Sequence, residues 1–185
     1  MFRYTRVWTL GKRHFGGGAK APLVRDWFAF GKGKKTDDPF ETPTTPTNLG
    51  EDSFYAISSP GMMSFGVADG VGGWTEHKNG RPDLVAQHFM AHCRDVADAY
   101  ANNPYSHVPV NPAVISPIVF AQAYERLQAN PPGLGSCTGV VFTILPCNDK
   151  IMASSYLVGD SGFLLLRKEE DLYKVQEYPV FQRIG

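Results

Sequence analysis

Three short acidic motifs hold the residue types best suited to chemistry, and each stands where an apolar run meets glycine. Asp69 ends the alternating run in Ser64–Trp74, SFGVADGVGGW, just before Gly70, Gly72 and Gly73. Glu51 and Asp52 follow Gly50 at the mouth of the run Ser53–Ile57, and Asp160 sits between Gly159 and Gly162, after a run ending at Val158. Glycine beside a strand-end carboxylate lets the backbone turn sharply and leaves little bulk around the acid. Carboxylates and bare backbone carbonyls are the ligands of a hard divalent cation. Each motif also has an ordinary reading. Asp-Gly is a common hairpin turn, and an adjacent Glu-Asp pair usually marks a solvated strand edge. Three such sites in one small chain are more than turns supply. If they converge, each carboxylate pair about 4 Å apart costs about 4 kcal/mol at an effective dielectric of about 20. No Lys or Arg adjoins any of the three motifs, so a divalent metal is expected to offset that repulsion.

The elements that must position these acids follow from periodicity. The runs 50–57 and 62–69, joined by the turn Ser58-Ser59-Pro60-Gly61, predict a hairpin that brings Glu51, Asp52 and Asp69 to one sheet edge. Strand neighbours point to opposite faces, so one of Glu51 and Asp52 would bind metal directly and the other hold a bound water. From Pro82, the residues Leu84, Val85, Phe89, Met90, Cys93 and Val96 recur at the spacing of one buried helix face. Pro82 suits a helix start, and Asn102-Asn103-Pro104 a stop. His88 and His92, four apart on that helix, have a spacing zinc could use. They lack the glutamate of an H-E-x-x-H motif, so a solvated helix face is the expected reading. A proline-rich loop (103–112) leads to a second helix over 113–129, with Ile115, Val119, Phe120, Ala123 and Leu127 as its stripe. Pro117 calls for a late start or a kink there. Four strands follow, Cys137–Leu145, Ile151–Val158, Phe163–Arg167 and Leu172–Glu177, with Cys147-Asn148-Asp149-Lys150 as a hairpin loop. The class is α+β.

Composition narrows the function. The 185 residues carry no net charge, but residues 1–35 hold nine of the 18 basic residues and only one of the 18 acids, Asp26. The remainder is net negative, a poor surface for nucleic acid. Segment 1–35 lacks a continuous apolar stretch and fits a mitochondrial presequence better than a disordered basic tail, although it is poor in serine. Its Gly-Lys-rich end does not match a phosphate-binding loop, and no strand precedes it. Residues 36–48, TDDPFETPTTPTN, form a Pro/Thr-rich linker, and the folded domain is placed at 49–185. Cys93, Cys137 and Cys147 are odd in number and show no C-x-x-C spacing, so free thiols are expected rather than a disulfide framework or zinc site. No apolar run approaches the roughly 18 residues of a membrane span.

The segments GEDSFY, FGVADGVGGW, GSCTGVV and YLVGDSGFLLL, in this order and spacing, resemble the metal-dependent protein serine/threonine phosphatases of the two-C type. More narrowly they resemble the mitochondrial seven-type branch, which shares the DGVGGW form. The resemblance covers residues 49–185, the N-terminal part of that catalytic domain. It implies a four-layer α-β-β-α sandwich, with two antiparallel sheets flanked by helices and two, optionally three, Mn²⁺ or Mg²⁺ ions at one end. Asp69 would bridge two ions. The Gly70 carbonyl and Glu51 would hold the second, Asp52 would accept from metal-bound water, and Asp160 would face the optional third ion. Gly135–Thr138 would begin a structural core strand. The implied reaction is hydrolysis of phosphoserine and phosphothreonine by metal-activated water, with no Ser or Cys nucleophile. Implied too are phosphoprotein substrates, mitochondrial matrix and ubiquinone-pathway proteins among them, and a monomeric state.

The chain departs from the family pattern in three places. Thr47 stands where many relatives carry a phosphate-gripping arginine, and Val71 where many carry a histidine general acid. The family's downstream Asp-Gly and Asp-Asn carboxylates are absent, and Val180–Gly185 ends without a terminal element. A truncated product or partial gene model is therefore expected. Two classes stay open: a phosphatase, or a catalytically incomplete fragment that acts as a binding module.

Overall fold

The computed structural model describes residues 50–59, 61–102, 111–147, 150–170 and 172–177. The basic segment 1–35, the linker 36–48, Thr47 and Val180–Gly185 lie outside them. The first two strands, β1 (Asp52–Ser58) and β2 (Met63–Asp69), form the expected hairpin, in register from Asp52 opposite Asp69 to Ser58 opposite Met63. Ser59 closes the turn: its Oγ accepts the Met62 N–H at 3.1 Å and donates to the Met62 carbonyl at 3.0 Å.

Two helices, α1 (Pro82–Ala101) and α2 (Ile115–Ala129), connect β2 to β3 (Gly139–Cys147), which pairs with β4 (Lys150–Val158). The result is a four-stranded antiparallel sheet in the order β1-β2-β3-β4. A separate hairpin of β5 (Leu165–Glu169) and β6 (Leu172–Glu177) follows. The described residues thus form two antiparallel sheets with two α-helices, an α+β fold. Pro82 occupies the first position of α1, where a missing N–H costs nothing. The second helix starts two residues later than the periodicity predicts, after a 3₁₀ turn at Pro112–Val114. Pro117 therefore falls at its third residue, among N–H groups that lack an intrahelical acceptor, and no kink is needed.

The sheet is apolar on both faces, unlike an antiparallel sheet with one solvated side. On one face α1 packs over β1 and β2, and α2 over β3 and β4. Val85, Phe89, Met90, Cys93 and Val96 of α1 and Ile115, Val119, Ala123 and Leu127 of α2 are buried there with Tyr55 and Val141. Phe120 bridges the layers, its ring 4.9 Å from those of both Phe89 and Tyr156. On the other face Met63, Phe65, Phe142 and Ile144 form a second cluster. The Phe65 and Phe142 rings stack at 5.2 Å, and Phe163 meets Phe142 edge-on at 4.7 Å.

Between sheet and helices runs a buried hydroxyl ladder. Tyr55 Oη lies 2.8 Å from Ser64 Oγ, which lies 3.1 Å from Thr143 Oγ1. Thr143 accepts from Ser116 Oγ at 3.0 Å, and the Ser116 N–H donates to Ser154 Oγ at 3.2 Å. The ladder ties β1, β2, β3, β4 and α2 together, adding directional bonds to the apolar packing. Thr143→Val keeps the shape and removes the central hydroxyl. Because Ser64 and Ser116 retain other partners, a loss of about 1–2 kcal/mol is expected. Urea unfolding should show a lower midpoint at an unchanged slope.

Candidate metal-binding edge

The four strands end in a row that carries the acids. Asp52 starts β1, and its direct register partner Asp69 ends β2. Opposed residues share a face, so both acids lie on the face away from the helices. Continuing the register of Val67 with Val140 and of Gly139 with Val158 places Thr138 beside Asp69, and Gly159 beside Thr138. Asp52 is 2% exposed, Asp69 and Glu51 are half-buried, and Asp160 is exposed.

The row explains what comes together. Directly opposed residues of an antiparallel pair have Cα atoms about 4.5–5.5 Å apart, within reach of one cation. Asp160 follows a position two strands beyond Asp69, about 10 Å away at the backbone, whereas Asp52 is one strand away. No three His, Cys, Asp or Glu side chains among the described residues gather closely enough to hold a metal ion, so Glu51 does not join Asp52 and Asp69 as a third ligand group. The edge assembles a carboxylate pair, hard-oxygen groups of the kind a divalent ion prefers. The structure also sets Asp52, rather than Glu51, opposite Asp69.

Backbone packing fixes the turn after Asp69. The Gly70 N–H donates to the Glu51 carbonyl at 2.9 Å, and Gly70 bridges to Cys137. A Cβ on Gly70 would stand 2.6 Å from the Pro82 carbonyl oxygen and 2.7 Å from that of Glu51. Glycine is therefore required by the close approach of β1 and the start of α1. The Val71 N–H donates to the Ser136 carbonyl at 2.9 Å, leaving the side chain exposed. Trp74, in a 3₁₀ turn at Gly72–Glu76, donates Nε1–H to Ser136 Oγ at 2.9 Å. Arg81 forms a bidentate pair with Asp83, at 2.9 and 2.8 Å. The Arg81 hydrogen bond holds the Asp83 carboxyl below its ordinary range.

The thiols described here are poor nucleophiles. Cys93 and Cys137 are free. Burial, and secondarily Asp69, pushes Cys137 up to about 11. Burial raises Cys93 further still. Neither supplies the thiolate that cysteine-based phosphoryl transfer needs near neutral pH. His88 and His92 do not form a metal site with a third described ligand. Their rings meet edge-on at 6.3 Å, and burial, then His88 and Arg126, lowers the His92 pKa.

Sequence reasoning missed Thr138, Ser136 and Ser161. The expected strand Cys137–Leu145 begins at Gly139, which frees Cys137 and Thr138 to hold the end of β2. A serine or threonine beside an apolar run carries no periodic signal of such a role.

The scaffold and its edge define an antiparallel α+β domain with acids collected at the strand ends. Comparison with known proteins specifies it further. The chain is 35% identical over 131 residues to the protein phosphatase PTC7 homolog fig of Drosophila virilis, covering 69% of this chain and 38% of that protein. It is 29% identical over 128 residues to the protein phosphatase PTC7 homolog of Danio rerio, covering 69% and 39% respectively. Against its Xenopus laevis counterpart the identity is 28% over 128 residues, again covering 69% and 39%. No family model matches the chain, and no solved structure does. The chain is a PTC7-like relative of the two-C-type protein phosphatases, and the match is partial. It spans about two fifths of the length of the relatives it matches.

Proposed function

We propose that this chain works as a Mn²⁺- or Mg²⁺-dependent protein serine/threonine phosphatase. The observation that carries the reading is the opposition of Asp52 and Asp69 at one sheet edge, on the face away from the helices. Like charges placed directly opposite are destabilising unless something cationic lies between or beside them. Asp69 would hold the cations, with Glu51, the Gly70 carbonyl and Asp52 contributing from the hairpin and Asp160 standing further along the edge. Bound metal would lower the pKa of a water for attack on phosphorus and neutralise charge on the phosphoryl oxygens. The chain's own part is to hold the carboxylates and to keep Gly70 close to Glu51. The second apolar cluster supports a further sheet packed on that face, giving the four-layer sandwich. Phosphoproteins are the substrate class, and the names of the relatives support it.

Titration with Mn²⁺, followed by the loss of its free electron-paramagnetic signal, tests the edge directly. Hydrolysis of a phosphoserine peptide with and without EDTA tests the reaction. Failure to bind Mn²⁺, or hydrolysis that survives chelation, would overturn the reading; binding without hydrolysis would favour a binding module. The basic segment is proposed to direct the chain to mitochondria. A fluorescent reporter carrying residues 1–40 is expected to enter mitochondria, and its retention in the cytosol would refute that assignment.

A further inference from the structure

We propose that Thr138 is a positioning residue that couples the two separated acids, Asp69 and Asp160, into one mechanical unit. It holds both backbone groups of Asp69. Its N–H donates to the Asp69 carbonyl at 2.8 Å, and its Oγ1 accepts the Asp69 N–H at 3.0 Å. The second bond replaces a ladder carbonyl with a side-chain hydroxyl, so the ladder's end depends on the identity of this residue. On its other side Thr138 grips the turn that bears Asp160. Its Oγ1 is hydrogen-bonded to Ser161 Oγ. A hydroxyl oxygen carries two acceptor sites and one proton, so Oγ1 can serve the Asp69 N–H and Ser161 together. The side chain of Thr138 also fills the space beside Gly159, where an added Cβ would lie 2.7 Å from its Cγ2. Gly159 has φ +91°, a conformation that favours glycine. Asp160 is thus flanked by one residue packed against Thr138 and one hydrogen-bonded to it.

The consequence for metal binding rests on the phosphatase reading above; the coupling itself does not. Asp69 and Asp160 stand about two inter-strand spacings apart. Thr138 lies between them and contacts the structure around both. A cation that orders Asp69 would therefore also order the Asp160 turn. Outer partners of this kind typically change metal affinity 10–100-fold when removed.

The test uses the full chain and three variants. Thr138→Val keeps the shape and removes both hydroxyl bonds, Thr138→Ser keeps the hydroxyl, and Ser161→Ala removes only the far arm. Hydrogen exchange is followed at the Asp69 amide and across residues 158–162 without metal, and Mn²⁺ affinity is measured in parallel. Thr138→Val is expected to speed exchange at both places and to weaken Mn²⁺ binding by roughly 10–100-fold. Thr138→Ser should keep the Asp69 amide protected and exchange at 158–162 slower than in Thr138→Val, losing only the methyl contact beside Gly159. Ser161→Ala should loosen the turn and leave the Asp69 amide protected, which keeps the test decisive if Thr138→Val does not fold. Unchanged exchange at 158–162 in Ser161→Ala, or in a folded Thr138→Val, would overturn the coupling. The expected exchange pattern in a protein that binds no Mn²⁺ would support the coupling and refute the metal reading instead.

Discussion

Asp69→Asn is expected to cut Mn²⁺ binding and the proposed metal-dependent phosphoester hydrolysis sharply while leaving the metal-free chain as stable as wild type, or slightly more so. The two effects have separate causes. Asparagine keeps the size and an oxygen ligand but removes the charge that holds a hard divalent ion. Binding should weaken by more than roughly a hundredfold, the loss that even outer-shell partners reach. Hydrolysis should fall by roughly a thousandfold, equivalent to about 4 kcal/mol of transition-state stabilisation. Without metal, the same change removes one of two acids in direct cross-strand register, where relief is worth a few tenths of a kcal/mol. The backbone bonds from Asp69 to Thr138 are unaffected by the substitution. Thermal melts with and without Mn²⁺ would read both signs. A variant that still gains stability from Mn²⁺ would show that the ion binds elsewhere. A variant destabilised without metal would show that the Asp69 carboxylate is a structural acceptor.

Much of this arrangement could be read from the sequence because it rests on short-range pattern. The period of Leu84, Val85, Phe89, Met90, Cys93 and Val96 specifies the buried face of α1, and all but the half-buried Leu84 are buried. The hairpin that joins Asp52 to Asp69 follows from two apolar runs around a short turn, and its register came out as the acids required. Other features depend on register and on distance across the sheet. Glu51 and Asp52 are adjacent in sequence, and only the pairing places Asp52 opposite Asp69. Asp160 looked equivalent to Asp69 by its glycine context, yet two inter-strand spacings separate the ends they occupy. The hydroxyl ladder was invisible because Ser64, Thr143 and Ser116 look like neutral punctuation in apolar runs. Each becomes a buried partner only when three elements meet. Thr138 was read into the apolar run Cys137–Leu145, whose strand begins at Gly139.

Gly66→Ala offers a test of the sheet in which two readings predict opposite signs. A glycine inside a strand is normally a weakness, costing roughly 0.5–1 kcal/mol relative to alanine through backbone entropy. If Gly66 were only that, alanine should stabilise the chain. The structure requires the reverse. Gly66 pairs with Tyr55 on one side and Val141 on the other, on the face beneath the helices. A methyl there would overlap the Val140 carbonyl oxygen and lie 2.6 Å from Tyr55 Cε1. The carbonyl belongs to the neighbouring strand and cannot rotate away, so β2 and β3 would have to separate or Tyr55 move. Moving Tyr55 would break its 2.8 Å bond to Ser64 and disturb the hydroxyl ladder. Overpacking of this kind costs about 3 kcal/mol, and the midpoint of thermal unfolding should fall by roughly 6–12 °C. A Gly66→Ala chain that melts at or above wild type would mean that β1, β2 and β3 are not paired in this register. The opposition of Asp52 and Asp69, which depends on the same pairing, would fall with it.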